Sequence, residues 1–151
     1  TMDVDYDLYA DGESLLGWVN ATFLLRAERD VDGNRFFGRL ADALRERLAA
    51  TAVEIAHLKM TLATGDGCDR ATINVVRSDG SAELARRLSR PLRAAELTVN
   101  LRAEDDPDRL HALLMEAVTD VGREVEVHAL LGEEAHFRPG RPVPTHRMVA
   151  P

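Results

Sequence analysis

Two hydrophobic periods alternate along this chain, and their order limits the possible folds more than any other feature. Alternating apolar and polar residues, typical of strands with two different faces, occupy five segments. These segments are residues 16–27, 53–62, 71–76, 97–102 and 125–129. Apolar residues at helical spacing occupy residues 36–48 and 110–121, and this spacing predicts two amphipathic helices.

Turn and cap residues mark the boundaries between these segments. Gly65-Asp66-Gly67 predicts a hairpin turn, and Asp106-Pro107 predicts a helix start, with Gly122 as its stop. Residues 82–88 suit a short helix that ends before Pro91. The predicted fold is therefore α+β and ferredoxin-like, with about five mostly antiparallel strands and both long helices on one face of the sheet.

Composition excludes several classes of function. The 151 residues and 45% hydrophobic content predict a single domain, apart from a terminal arm. The 26 acidic residues exceed the 19 Lys and Arg residues, which argues against sequence-independent nucleic-acid binding. No apolar run approaches the roughly 20 residues of a membrane span. A single cysteine, Cys68, fits a reducing compartment, so we expect a cytoplasmic protein that is not bound to membranes.

The last sixteen residues differ from the rest of the chain. Prolines 139, 142 and 144 rule out a helix or a central strand, because each fixes φ and lacks a backbone donor. The sequence predicts an α+β domain over residues 1–135 and an extended cationic arm over 136–151 that packs across the sheet. Its candidate binding residues are His136, Arg138, Arg141, His146 and Arg147.

The strand faces that the helices leave uncovered should form an open surface. Alternation assigns to it Trp18, Asn20, Thr22, Ile55, His57, Lys59, Thr61, Thr72, Asn74, Val76, Thr98, Asn100, Arg102, Glu126 and His128. Asparagine is depleted in strands, and yet one lies near the middle of three of them.

Two interpretations of this surface stay open. The amides of Asn20, Asn74 and Asn100 pair across strands or with the arm in a purely structural polar layer. Alternatively, the surface binds an anion or an acidic partner, with Trp18 and Ile55 as an apolar anchor. The candidate binding residues are Trp18, Asn20, His57, Lys59, Asn74, Asn100, Arg102 and His128.

Motifs for other chemistries are weak, and no catalytic residue, metal ligand or cofactor is predicted. No histidine or cysteine pair has the spacing of a prearranged metal site. A zinc or cobalt site from His57, His128 and the histidines of the arm is a minor alternative, and His111 is predicted to be a solvated surface residue. The glycines beside Cys68 lack the Lys-Ser or Lys-Thr of a phosphate-binding loop.

Several short motifs carry a resemblance to a known family. They are Gly17-Trp18-Val19-Asn20, residues 54–59, residues 74–79, residues 98–104 and the segment from His136 to Arg147. Together they resemble the C-terminal region of CobW-type GTPases, which are associated with metal-cofactor delivery. In that family an N-terminal P-loop domain binds GTP and Mg²⁺ and carries a Cys-x-Cys-Cys type metal motif. Neither motif occurs here, so the resemblance implies an accessory domain without nucleotide or metal residues.

The sequence therefore predicts a non-enzymatic accessory or interaction domain. Its expected partner is a GTPase domain, a metal-receiving client protein or a second copy in a homodimer. One alternative is a small-molecule-binding or enzymatic module with His57, Lys59, Asn100 and His128 as its pocket. Another is a simple dimerisation domain.

Overall fold

A computed structural model describes residues 15–76 and 82–140, which form two helices and one six-stranded sheet. The strands are β1 (Gly17–Val31), β2 (Ile55–Thr64), β3 (Arg70–Val75), β4 (Glu83–Arg86), β5 (Leu92–Ala103) and β6 (His128–Phe137), and the helices are α1 (Gly33–Ala50) and α2 (Pro107–Val125). The predicted α+β class is confirmed. No helix within the described part of the chain is both long and apolar enough to cross a membrane.

The strand order is β4-β3-β2-β5-β1-β6, and every neighbouring pair is antiparallel. The sheet curls into a half-barrel. The hairpin of β2 and β3 turns where Gly65-Asp66-Gly67 predicts it, and Gly67 has a φ of 75°, which glycine adopts without strain. Because β5 lies between β1 and β2, the long-range β1–β5 and β2–β5 pairs form the centre of the sheet.

The core is one cluster of buried apolar residues to which the strands and both helices contribute. Val19, Phe23, Leu58, Met60 and Leu101 are at most 1% exposed and belong to one cluster with apolar residues of α1 and α2. No polar or charged side chain is buried among the described residues. Burial of each large apolar side chain stabilises the fold by about 1.5–3 kcal/mol.

Both helices begin at an aspartate cap, of which the sequence predicts the one at Asp106. The Asp32 carboxylate accepts hydrogen bonds from the backbone N–H groups of Asn34 and Arg35, and Asp106 accepts from Asp108 N at 2.7 Å. The helices also contact each other through surface ion pairs. Examples are Arg39 with Glu124 and Arg47 with Asp120.

The predicted short helix at residues 82–88 is wrong. Residues 83–86 form β4, which pairs with the outer edge of β3. A segment this short has little intrinsic helical stability, because the conformational entropy lost in forming the first turn exceeds the stabilisation from its one hydrogen bond. Pairing with an unsatisfied strand edge therefore decides its conformation, and the sheet has six strands in place of about five.

The predicted boundary between the last helix and the last strand is also wrong. α2 continues past Gly122 to Val125 and is capped by Glu126 in the left-handed conformation, with a φ of 66°. Gly122 serves a close approach, because a Cβ there would lie 2.5 Å from the carbonyl oxygen of Val127. Glu126 is thus a helix cap and does not belong to the open surface of the sheet.

Strand β6 extends to Phe137, so His136 and Phe137 belong to the sheet and the boundary placed at residue 136 cuts through β6. Arg138 then donates a hydrogen bond to the backbone oxygen of Leu15 at 2.9 Å. Arg141, His146 and Arg147, and with them most of the predicted arm, lie outside the described residues.

Candidate functional site

The face of the sheet opposite the core, here called the open face, is built from the alternate residues of β1, β2, β3 and β5. Strand register aligns Asn20, Asn100, Lys59 and Asn74 in one row across these four strands. A second row, two residues away along each strand, contains Thr22, Thr98, Thr61 and Thr72. Directly opposed side chains in such rows lie within contact distance, so the face presents a continuous polar strip.

The amides in the first row do not satisfy one another. No side chain of Asn20, Asn74 or Asn100 forms a hydrogen bond within residues 15–76 and 82–140, although Asn20 and Asn100 are directly paired. The structure therefore does not show the cross-strand amide pairing that the purely structural interpretation expects. Each amide keeps two donors and an acceptor for water or a partner.

An aromatic corner closes one end of the open face. On β5, the guanidinium carbon of Arg102 lies 3.9 Å from the centroid of the Trp18 ring. On β6, the centroid of the Phe137 ring lies 5.6 Å from that of Trp18. The indole Nε1 of Trp18 is buried and donates to no described residue. Stacking therefore holds the Trp18 ring in place, whereas its indole N–H has no hydrogen-bond acceptor among the described residues.

The open face carries positive charge although the whole chain has a net charge of -7. Among the residues that the structure describes, its cations are Arg26, Lys59, Arg70, Arg86 and Arg102, and its acids are Glu96 and Glu133. The described part of this face therefore has more cations than acids, and it suits a negatively charged surface.

Not every predicted site residue reaches this face. Ile55 is 4% exposed and packs in the core, because a bulge between Ile55 and His57 changes the alternation of β2. His57 pairs with Arg102 at the aromatic corner, whereas His128 pairs with Arg26. Eight residues of β1 separate those two positions, roughly 26 Å at strand spacing.

The pocket of His57, Lys59, Asn100 and His128 is consequently not assembled, since His128 lies at the far end of the sheet. The minor alternative of a metal site that joins His57 to His128 fails for the same reason. The hollow beside the amide row, lined by Asn20, Thr22, Thr98 and Asn100 among others, measures about 250 Å³ and is shallow. Ligand pockets usually begin at roughly 300 Å³.

A second site, which sequence reasoning missed, joins the first turns of α2 to β6. The Glu134 carboxylate oxygen Oε2 lies 2.6 Å from His136 Nδ1 and 2.9 Å from His111 Nδ1. The two imidazole rings stack at 4.6 Å with an interplanar angle of 20°. The other ring nitrogen of His136, Nε2, lies 2.9 Å from Asp108 Oδ1.

This cluster, here called the histidine cluster, contains His111, Glu134, His136 and Asp108. The hydrogen bond to Glu134 is the main cause that raises the pKa of His136 above its ordinary value of 6.5; desolvation opposes it, and the hydrogen bond to Asp108 adds to it. His111 Nδ1 is buried and lies close to Glu134 Oε2, but the angles between the two groups do not allow a hydrogen bond, so this nitrogen has no hydrogen-bond partner among the described residues. His111 is half-buried at 27% side-chain exposure and is not the solvated residue that the sequence predicts.

The missed signal is Glu134-Ala135-His136 on a strand. Residues two apart on a strand share a face, so Glu134 and His136 point to the same side. Register places them opposite Ala21 and Val19, on the core side of β6 next to α2. Sequence reasoning assigned His136 to the arm, with the boundary after residue 135, and therefore did not pair it with His111 of the helix.

The chain matches no protein-family model, no curated protein and no solved structure.

Proposed function

We propose that this domain is a non-enzymatic interaction module whose open face binds an acidic surface of a partner protein. The observation that carries the proposal is the row Asn20, Asn100, Lys59 and Asn74. Four aligned polar side chains have free hydrogen-bonding groups there, on a cationic face of an acidic chain. Such a surface supplies orientation and charge complementarity to a protein partner.

The aromatic corner would supply the apolar anchor of the interface. Trp18 and Phe137 present adjacent rings, and Leu24 with Leu130 adds an exposed apolar pair further along β1 and β6. Trp and Arg are enriched among the residues that dominate binding energy, and Trp18 and Arg102 already lie in contact.

The partner we propose is the P-loop domain of a CobW-type GTPase. The short motifs that resemble the C-terminal region of that family include Trp18, Asn20, Asn74 and Asn100. Without the β3–β4 hairpin, the remaining elements follow the β-α-β-β-α-β order of a ferredoxin-like fold, and this order supports the expected fold of an accessory domain. A symmetric homodimer through the same face is less favourable, because it would bring two cationic surfaces together.

Charge reversal on the open face tests this proposal. The double variant Lys59→Glu/Arg102→Glu and the wild type would be titrated by calorimetry against a recombinant P-loop domain of a CobW-type GTPase. We expect the variant to bind at least about tenfold more weakly, since like charges across an interface cost several kcal/mol. Added salt should weaken wild-type binding through the same charges.

The matched control is Arg35→Glu, a single charge reversal on the exposed side of α1, away from the open face. It should leave the affinity unchanged. Equal binding by the wild type and the double variant would contradict the proposal, as would the absence of any binding by the wild type.

A further inference from the structure

We propose that the histidine cluster binds a divalent transition-metal ion, Zn²⁺ in the first place, through His111 Nδ1, His136 Nδ1 and Glu134 Oε2. This site is independent of the open face and of the interaction that we propose for it. Two imidazoles and one carboxylate form a three-ligand set that zinc sites use, with a fourth position left for water or another ligand.

The geometry already brings the ligand atoms together. One ligand atom from each of the three residues lies within 4.8 Å of the others, and Glu134 Oε2 lies 2.6 Å from His136 Nδ1 and 2.9 Å from His111 Nδ1. Ligands about 2.0–2.1 Å from a tetrahedral zinc ion stand roughly 3.3–3.4 Å apart. The ring nitrogens would therefore move away from Glu134 Oε2 by well under one ångström, a change that side-chain rotation allows.

His136 also has the supporting contact that metal-bound histidines usually show. Its Nε2 lies 2.9 Å from Asp108 Oδ1, so the ring can donate its Nε2 proton to Asp108 while Nδ1 faces the metal. A carboxylate in this position fixes the tautomer and strengthens the imidazole as a ligand. The same contact does not depend on Glu134, so it is a second indication of a built site.

The charges around the cluster favour a cation. Asp108 and Glu134 are both acidic, and Arg109, the nearest basic residue in α2, pairs instead with Asp105 at 2.7 Å. Without metal, a proton on His136 Nδ1 faces Glu134 Oε2 at 2.6 Å, while Nε2 faces Asp108. A divalent ion would replace this proton and would give the buried His111 Nδ1 the partner that it lacks.

The choice of metal follows from the ligands. Imidazole nitrogens favour Zn²⁺ and its transition-metal neighbours, whereas Mg²⁺ and Ca²⁺ prefer sites made of oxygen ligands. The side chains of His111 and His136 are 27% and 28% exposed, so an ion can reach the site from solvent and keep one open position.

Zinc titration of the complete 151-residue chain tests the inference, with a chromophoric chelator as competitor. We expect one ion per chain and proton release on binding. Glu134→Gln and His136→Ala should each reduce the affinity by more than about tenfold, and Asp108→Asn should reduce it by about 10–100-fold, as removal of an outer carboxylate does. Circular dichroism of each variant establishes that it is folded.

The control Cys68→Ser/His146→Ala removes the exposed thiol and a histidine of the arm, and it should bind zinc as the wild type does. Co²⁺ substitution gives a second readout, because loss of its visible absorption in Glu134→Gln alone would assign the ion to the cluster. The inference is overturned if the wild type binds no zinc, or if the control loses binding while the cluster variants retain it.

Discussion

Phe23 and Leu24 are neighbours in β1, and both are large and apolar, yet they lie in opposite environments. Phe23 is 1% exposed and belongs to the core, whereas Leu24 is 53% exposed on the open face, opposite Leu130 and Glu96. The alternation of the strand requires one of the two to leave the core. The comparison teaches that hydrophobicity alone does not locate the core here, and that apolar residues on the open face have another role.

The largest effect that we predict separates these two neighbours. Phe23→Ala should lower the free energy of unfolding by about 3–5 kcal/mol, because it leaves a cavity in the core. Leu24→Ala should change it by no more than about 0.5 kcal/mol, as expected for an exposed position. Urea denaturation of both variants measures the difference, and similar losses would mean that the open face is covered in solution.

A substitution at the aromatic corner sharpens the comparison by separating stability from binding. Trp18→Ala should weaken partner binding by about 2 kcal/mol or more, the scale of an interface hot spot. The fold should lose less than it does in Phe23→Ala, because Trp18 packs on Arg102 and Phe137 and does not belong to the buried core cluster. Calorimetry and denaturation of the same preparation provide both numbers. A loss of stability without a change in affinity would mean that Trp18 stabilises the fold and is not part of the binding surface.

The amide row should show the smallest effect on stability. Asn100→Ala removes a half-buried side chain that forms no hydrogen bond with the described residues, so the free energy of unfolding should change by about 0.5 kcal/mol or less. Partner affinity should nevertheless fall. A clear loss of stability with unchanged affinity would instead support a structural polar layer.

The histidine cluster predicts a small dependence of stability on pH. Since the pKa of His136 is raised above 6.5, its contribution is fully present below that value and is lost as the pH rises through the folded-state pKa. His136→Gln should remove this dependence. The comparison uses urea midpoints at about pH 6 and about pH 9 with a chelator present.

The titrations of two aspartates with lowered pKa values lie outside that window. Hydrogen bonds to Thr64 and to Ser89 lower the pKa values of Asp66 and Asp69, respectively, below 3.8, so their contributions are lost only under acidic conditions. An equal slope in the wild type and in His136→Gln would assign the dependence to another group.

The regular elements were predictable because local periodicity and burial agree there. The faces of β1 and the capped start of α2 follow from alternation and from Asp106-Pro107. β4 and the outer half of β6 were not predictable, because long-range pairing with β3 and β1 decides them. The bulge that buries Ile55 has no local signal either. The histidine cluster was missed because it depends on β6 running beside α2.

The central claim is that the open face binds a partner while the opposite face holds the fold together. Nuclear magnetic resonance of the isotope-labelled chain, titrated with a CobW-type P-loop domain, tests it most directly. The account predicts shifts of the Trp18 indole N–H and of the Asn20, Asn74 and Asn100 side-chain amides, while signals from the outer surfaces of α1 and α2 stay in place. Shifts confined to the two helices, with the four side chains of the open face unchanged, would contradict it.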